Sequence, residues 1–367
     1  MAVTLRDVAE RADVSTRTVS NVVNNFHHVS PAMRARVQAA LDELNYRPNL
    51  LARGLREGRT GIITLLLPQI AVPYFAQLAH EIVERASQLG ITVMIDETSG
   101  EPRRELALLR VSGHSSWVDG VLLSSQGLRG RELADLRLNV PVVLLGERTA
   151  NSALDHVGID NVRAAQDAVR HLVESGRRRI AALGGTNLSS DATSQQRLKG
   201  YRAALRAAGL PVGRDLHVRT ASYERGDAGP AINCLLDRPD PPDAVFCFSD
   251  DLALGSLRAL HERGVRVPAD MYVVGFDDIE ESRFAIPSLT TIRPDRAQIA
   301  NAALDILLQR IAGSDQKPRD VRVPHHLVCR ETTTETSSAR RPSGTRAERP
   351  AAAAAGAVAT SPARRRG

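Results

Sequence analysis

Between Thr60 and Glu331, short apolar runs alternate with amphipathic segments, a pattern that few architectures can satisfy. The runs include GIITLLLP, ITVMID, VDGVLLSS, VPVVLLGE, RRIAALGG, PDAVFCFSD and MYVVGFDD, all of buried-strand length. Between them lie FAQLAHEIVERASQLG, VRAAQDAVRHLVESG, QQRLKGYRAALRAAG and LALGSLRALHERG, whose apolar residues recur at helical spacing. A strand that is apolar on both faces needs helices above and below it, so the alternation predicts parallel sheets in an α/β layering. This many strands divide more naturally into two doubly wound lobes than into one very wide sheet. The spacing puts residues 61–161, with a return near 290–319, in the first lobe. It puts 162–289 and the last strands, to about residue 331, in the second.

The first sixty residues have a different texture. In TLRDVAERA, Thr4 and Asp7 form an acidic capping-box pattern, and Leu5, Val8, Ala9 and Ala12 share a face. Asp13 follows, a residue type that tolerates the left-handed conformation of a tight turn. Ser15 then caps TRTVSNVVN, in which Val19, Val22 and Val23 share a face. Ser30 and Pro31 open a third helix that carries Val37, Leu41 and Leu44. The first two helices are a helix-turn-helix candidate, and Thr16, Arg17, Ser20 and Asn21 on the second could donate to or accept from base edges. A plain helical hairpin with a solvated polar face would have the same spacing.

Charge follows this division. Residues 1–60 hold nine arginines against six acidic residues, and 331–367 hold seven against three, whereas the middle is close to neutral. Basic ends on a neutral body favour contact with a polyanion. The N-terminus is charged and lacks an apolar signal core, no apolar run reaches membrane-spanning length, and the three cysteines are scattered. These features predict a cytoplasmic protein with no membrane contact, disulfide framework or zinc site. The chain has no P-loop, dinucleotide fingerprint, HExxH or GxSxG, so no enzyme, metal or cofactor is expected. His27–His28 and His325–His326 are adjacent pairs, which a strand points to opposite sides. The stretch after Glu331 lacks apolar periodicity and reads as a disordered tail.

The residues carry a further resemblance. VTLRDVAERADVSTRTVSNVVN, VSPAMRARVQAALDELNYRPN and LLARGLREGRTG closely resemble the DNA-binding headpiece of the lactose-repressor (LacI/GalR) family. PYFAQLAHEI, DGVLL, VGIDN, QQRLKGY, SDDLALGSLRALHERGVRVPADMYVVGFDD and PSLTTIRPD are similar to that family's effector domain, in the same order. The resemblance spans roughly residues 3 to 332. It implies an all-α helix-turn-helix headpiece (1–47) and a hinge helix with its linker (48–59). A two-lobed α/β effector and dimerisation domain of the type I periplasmic-binding-protein kind (60–331) follows, leaving the tail at 332–367.

The resemblance also implies a homodimer on a pseudo-palindromic operator, the second headpiece helix of each protomer lying in a major groove. Thr16, Arg17 and Asn21 match the base-reading positions, with Thr4, Ser15 and Ser20 completing the DNA-facing set. Asn21 stands where the family usually has arginine, so the operator is expected to differ at one base pair. Asn49 would cap a hinge helix in which Leu55 is the minor-groove wedge and Arg53 and Arg56 meet phosphates. Gly54, where serine is common, lowers helix propensity and predicts a hinge whose order depends on DNA. In the cleft, the matched positions are Tyr74, Phe75, Arg197, Ser249 and Asp277, with Asp250 expected to cap a helix. Their chemistry favours a small effector such as a sugar. A corepressor, a ligand-independent regulator and an exported solute-binding protein are the competing readings, the last of which would need a signal sequence upstream of Met1.

Overall fold

The computed structural model describes residues 3–23, 26, 28–46, 59–115, 117–128, 132–133, 138–146, 153–185 and 192–334. Of the expected hinge helix and linker at 48–59, all but Arg59, and with them Asn49, Arg53, Leu55 and Arg56, lie outside the described residues, as do all but the first three residues of the expected tail.

Three helices form the N-terminal body: α1 (Leu5–Arg11), α2 (Thr16–Val23) and α3 (Pro31–Glu43). The Thr4 hydroxyl accepts from the Asp7 amide while the Asp7 carboxylate accepts from the Thr4 amide at 2.7 Å, closing the capping box. Asp13 turns the chain with φ at +49°, and Arg36 of α3 donates to its carbonyl at 2.7 Å. Val8, Ala9, Ala12, Val19, Val22, Val37, Ala40 and Leu41 make the core. Such small side chains let the helices cross closely.

The first lobe carries a six-stranded, all-parallel sheet. Its strands are β1 (Ile62–Leu67), β2 (Thr92–Glu97), β3 (Gly120–Ser124), β4 (Val142–Leu145), β5 (Asp155–Gly158) and the late β11 (Asp320–Arg322), in spatial order β11-β5-β4-β3-β1-β2. Helices α4 (Pro73–Gln88) and α5 (Pro102–His114) belong to this lobe.

The second lobe contains α6 (Asn161–Glu174), β6 (Ile180–Leu183), α7 (Ala192–Ala207), β7 (His217–Val218), α8 (Arg225–Leu236) and β8 (Ala244–Cys247). The chain continues there through α9 (Asp250–Glu262), β9 (Tyr272–Phe276), α10 (Glu280–Phe284) and β10 (Thr290–Pro294). Helix α11 (Arg296–Ile311) then packs back on α4 and on β3, β4 and β5 of the first lobe. The last strand, β12 (His325–Val328), pairs antiparallel with β10, giving a second sheet in the order β12-β10-β9-β8-β6-β7.

The chain therefore crosses between lobes three times, at 159–160, at 295 and at 323–324. This corrects the expected return near residue 290. Strand β10 pairs with β9 in the second sheet, and α11 is the first element back in the first lobe. His325 and His326 do point opposite ways. His325 meets Asp167 at 2.9 Å, while His326 is exposed.

Packing between α6 and α7 gives a test of the second lobe. A β-carbon at Gly200 would collide with the Val162 carbonyl oxygen and the Ala165 methyl. Overpacking of this kind typically costs about 1–3 kcal/mol. Gly200→Ala is expected to lower the urea midpoint of the purified protein accordingly. An unchanged midpoint would mean the helices separate freely.

Candidate functional site

Helix α2 offers the first candidate surface. Ser15 caps it, accepting from the Thr18 amide at 3.1 Å, which fixes the first turn. Val19 and Val22 are buried, so the opposite face turns outward. Thr16 and Arg17, at its first two positions, are exposed, and Ser20 and Asn21 are half-buried one turn on. A recognition helix contacts bases through its N-terminal residues, and this one presents hydroxyl, guanidinium and carboxamide groups there. The Thr4 hydroxyl lies 2.9 Å from the Asp7 carboxylate at the start of α1, in a local capping role.

The second candidate lies at the carboxyl ends of the central strands, where ligands of doubly wound sheets bind. On the first lobe, Tyr74 and Phe75 form the opening turn of α4 after β1. Both are half-buried, with rings edge-on and centroids 5.3 Å apart. On the second lobe the groups converge. Arg197 of α7 is buried, its Nε donating to the Asn161 side chain at 2.8 Å and its Nη1 to the Phe248 carbonyl. Its guanidinium stacks on Phe276 with its carbon 3.5 Å from the ring centroid, and Nη2 faces the Asp277 carboxylate at 3.7 Å. Arg197 and Asp277 are thus brought together, while Tyr74 and Phe75 stand on the other lobe.

Asp277 and Asp278 follow β9 with φ of +118° and +50°. Non-glycine residues in such conformations cost about 1–3 kcal/mol each and persist only where surroundings enforce them. Here the enforcement is visible. The Asp277 amide donates to the Ile292 carbonyl at 2.7 Å, and Arg330 pairs with Asp278 at 2.6 Å. Arg296, at the start of α11, donates to the carbonyls of both aspartates at 2.6 and 3.3 Å. Burial pushes the Asp277 carboxyl above the usual carboxylate range, and Arg197 opposes that shift.

Ser249 and Asp250 exchange the expected capping role. Ser249 is the N-cap of α9, accepting from the Leu252 amide at 3.1 Å, so its hydroxyl is engaged locally. Asp250 is instead a buried anchor. Its carboxyl accepts from the hydroxyls of Thr291 at 2.5 Å and Ser282 at 2.7 Å, and from the Ile279 amide at 3.0 Å. Gly275 of β9 leaves the space that the carboxyl fills. This ties α9, α10, β10 and the Asp277 turn into one unit. Sequence reasoning missed Asn161, Phe276 and Arg296. Asn161 stands in VGIDN and Arg296 directly follows RPD, but nothing in the sequence brings either next to Arg197 or Asp277.

Burial raises the Asp250 carboxyl to about 6, against the pull of its three donors. A folded pKa above the unfolded one gives stability that is present below about pH 4 and lost as pH rises through about 6. Relative to Asp250→Asn, the wild type is therefore expected to lose about 2 kcal/mol between pH 4 and 7. Parallel urea melts at each pH check this, and equal pH profiles for the two proteins would refute it.

No helix among the described residues is long and apolar enough to cross a membrane, and these residues contain no cluster of potential metal ligands. Residues 4–49 match the family described as bacterial regulatory proteins, lacI family, and 169–333 match the periplasmic binding protein-like domain. The chain is similar to catabolite control protein A of Priestia megaterium, at 32% identity over 334 residues that cover 91% of this chain and all of that one. Among solved structures it is similar to the lac repressor dimer bound to operator and the anti-inducer ONPF. The identity is 31% and the TM-score 0.79, over 91% of this chain and 100% of that one. A complex of the transcriptional regulator CelR with cellobiose matches at 32% identity and a TM-score of 0.67, over 90% and 99% of the two chains.

Proposed function

This chain belongs to the lacI family of bacterial regulatory proteins, and from that premise we propose a cytoplasmic repressor whose operator affinity is set by a small polyhydroxy effector, a sugar. The observation that carries this reading is the Arg197–Asp277 pair, held on a strained turn in a chain that also presents Thr16, Arg17 and Asn21 outward. A fixed guanidinium donates and a fixed carboxyl oxygen accepts, so together they suit neighbouring hydroxyls on one ligand. Tyr74 and Phe75, on the other lobe, supply faces for a sugar ring. Ser249 supports the site from its cap position. Catalysis has no part in this reading.

DNA recognition is assigned to α2. Arg17 reads guanine or holds a phosphate, Asn21 reads adenine, and Thr16 and Ser20 complete the face. Thr4 and Ser15 set the helix starts. On the sequence reading, Leu55 with Asn49, Arg53 and Arg56 forms the hinge contact.

Two protomers on a palindrome need a self-complementary surface. A groove between α8, α9 and α10 fits that need. Leu254, Phe284 and Ala285 give it apolar character, and Arg258 stands with Glu262, Glu280 and Glu281 in its lining. Phe284 is 73% exposed, and neighbouring Ile286 is 96% exposed. Arg258 pairs with Glu262 at 2.6 Å and Arg225 with Glu281 at 2.9 Å within the chain, so the apolar residues carry the contact between copies.

The test is selection of a duplex from a random pool by the full-length protein, followed by affinity measurements with a panel of sugars and nucleobases. A palindromic site is expected, with one sugar changing affinity about 5- to 150-fold, the usual range of allosteric coupling. Response to a nucleobase alone would replace the sugar with a purine or pyrimidine effector. Retention of no duplex would overturn the DNA-binding reading.

A further inference from the structure

Helix α11 touches the two places that an effector-controlled DNA-binding protein must connect. At its start, Asp295 caps the helix by accepting from the Gln298 amide at 3.0 Å, and Arg296 forks onto the carbonyls of Asp277 and Asp278. Arg296 therefore belongs to a first-lobe helix while gripping the strained turn of the second lobe. At its foot, the Ile311 carbonyl accepts from the Arg59 guanidinium at 3.4 Å. Arg59 is the first described residue after 47–58.

The foot is well fixed. Arg310 holds the Asp155 carboxylate through two nitrogens at 2.7 and 3.0 Å, and donates to the carbonyls of Ser314, Gln316 and Lys317. Gly120, at the start of β3, lies so close to the helix that a β-carbon there would collide with Leu307 and crowd Ile311. One residue earlier, the Asp119 carboxylate accepts from the backbone amides of Thr60 and Gly61 at 2.7–3.0 Å. The chain leaving residues 47–58 is thus fastened to the same few residues on which α11 rests. Sixteen helical residues span about 24 Å, and a capped, packed helix of that length moves as one body.

We propose that Arg296 is a positioning residue for the effector-sensing turn, and that α11 carries displacement of that turn to Arg59 and the segment that leads to the DNA-binding body. The proposal rests on the regulator reading above and adds the residues through which its two sites communicate. An effector seated on Asp277 shifts the turn, the Arg296 fork follows its two carbonyls, and α11 carries the residues at its foot, with Arg59 and Thr60, along as one body. The same link runs in reverse, so operator binding must alter the turn.

That reciprocity supplies a test needing no identified effector. The full-length protein is mixed with the selected operator duplex, and hydrogen–deuterium exchange is followed at a peptide containing residues 277–280, with a peptide spanning β6 as reference. In the wild type, operator is expected to change exchange at the turn about fivefold and leave β6 unaltered. Arg296→Met and Arg59→Ala, each saturated with operator, are expected to lose the exchange response. Arg296→Lys, which keeps a donor but not the fork, is expected to restore part of it. No response at the turn in the wild type would overturn the proposal, as would a full response in Arg296→Met or Arg59→Ala. Arg59→Ala is a surface change, so the comparison stands even if Arg296→Met folds poorly. If no duplex is retained at all, the regulator reading itself fails, an outcome distinct from a bound operator with a silent turn.

Discussion

Arg197→Met is expected to abolish the effector response while leaving operator binding in place. Methionine keeps much of the side-chain volume but removes every donor. Asn161 and the Phe248 carbonyl lose the hydrogen bonds that Arg197 gives them, and the Asp277 carboxyl faces an apolar side chain where Nη2 stood at 3.7 Å. Truncating one partner of a buried, hydrogen-bonded pair that a ligand contacts typically costs about 2–5 kcal/mol of binding, which corresponds to about 30-fold or more in affinity. The turn itself survives, because the Ile292 carbonyl, Arg330 and Arg296 also hold it. The measurement is operator release as a function of the compound found in the panel, for wild type and variant. Half-maximal concentrations within a few-fold of each other would remove Arg197 from the site. A thermal melt of the variant shows that the loss is not one of folding.

Asn21→Arg is expected to rewrite the operator. Asparagine pairs through two hydrogen bonds with adenine N6 and N7, whereas arginine forks onto guanine O6 and N7. Each such pair discriminates by about 1–3 kcal/mol, and a two-fold symmetric dimer counts it twice. A repeated selection should therefore return a palindrome changed from A·T to G·C at one symmetric pair of positions. Wild type and variant should each prefer their own duplex by about 30-fold or more, from the doubled energy. An identical consensus from both proteins would show that position 21 does not reach a base. Arg17→Ala is the companion variant. Relaxed specificity at one base pair marks Arg17 as a base reader, while uniform weakening with a shallower salt dependence marks it as a phosphate contact.

Much of the architecture was legible because its signals are local. Thr4 with Asp7, Ser15, and Ser30 with Pro31 each announce a helix start, and every one of them stands at the start of its helix. Strands β1, β3 and β4 read directly because their apolar side chains are buried on both faces, and β2 read as an apolar run although it is a largely exposed edge strand. Strand β5 escaped because DHVG carries its polar residues into the sheet. Asp155 is neutralised by Arg310, and His156 is held between the Asp320 carboxylate and the Gly146 carbonyl, both at 2.8 Å. Those partners are 10 to 164 residues away in sequence, so no window along the chain reveals them.

The cleft was legible only in part for the same reason. SDD suggests an acidic cap, but the choice between Ser249 and Asp250 depends on Thr291 and Ser282, which reach Asp250 from β10 and α10. Arg296 falls in a stretch that reads only as a helix start. Its significance comes from the carbonyls of two left-handed aspartates, and backbone conformation of that kind leaves little trace in residue type.

The three crossings have a further consequence, for the order in which a ribosome can finish the molecule. Neither lobe is a continuous stretch of chain. The first sheet waits for β11 and the second for β12, so both close only when nearly the whole body has been synthesised. The three-helix body is complete by residue 46, and among the described residues its core draws on nothing downstream. At roughly 5–20 residues per second, a nascent chain carries a finished DNA-reading unit for roughly 15–60 s before the regulatory lobes can assemble. During that interval only the weak grip of a single headpiece is available. Tight, ligand-responsive occupation of a palindrome has to wait for two completed bodies to meet.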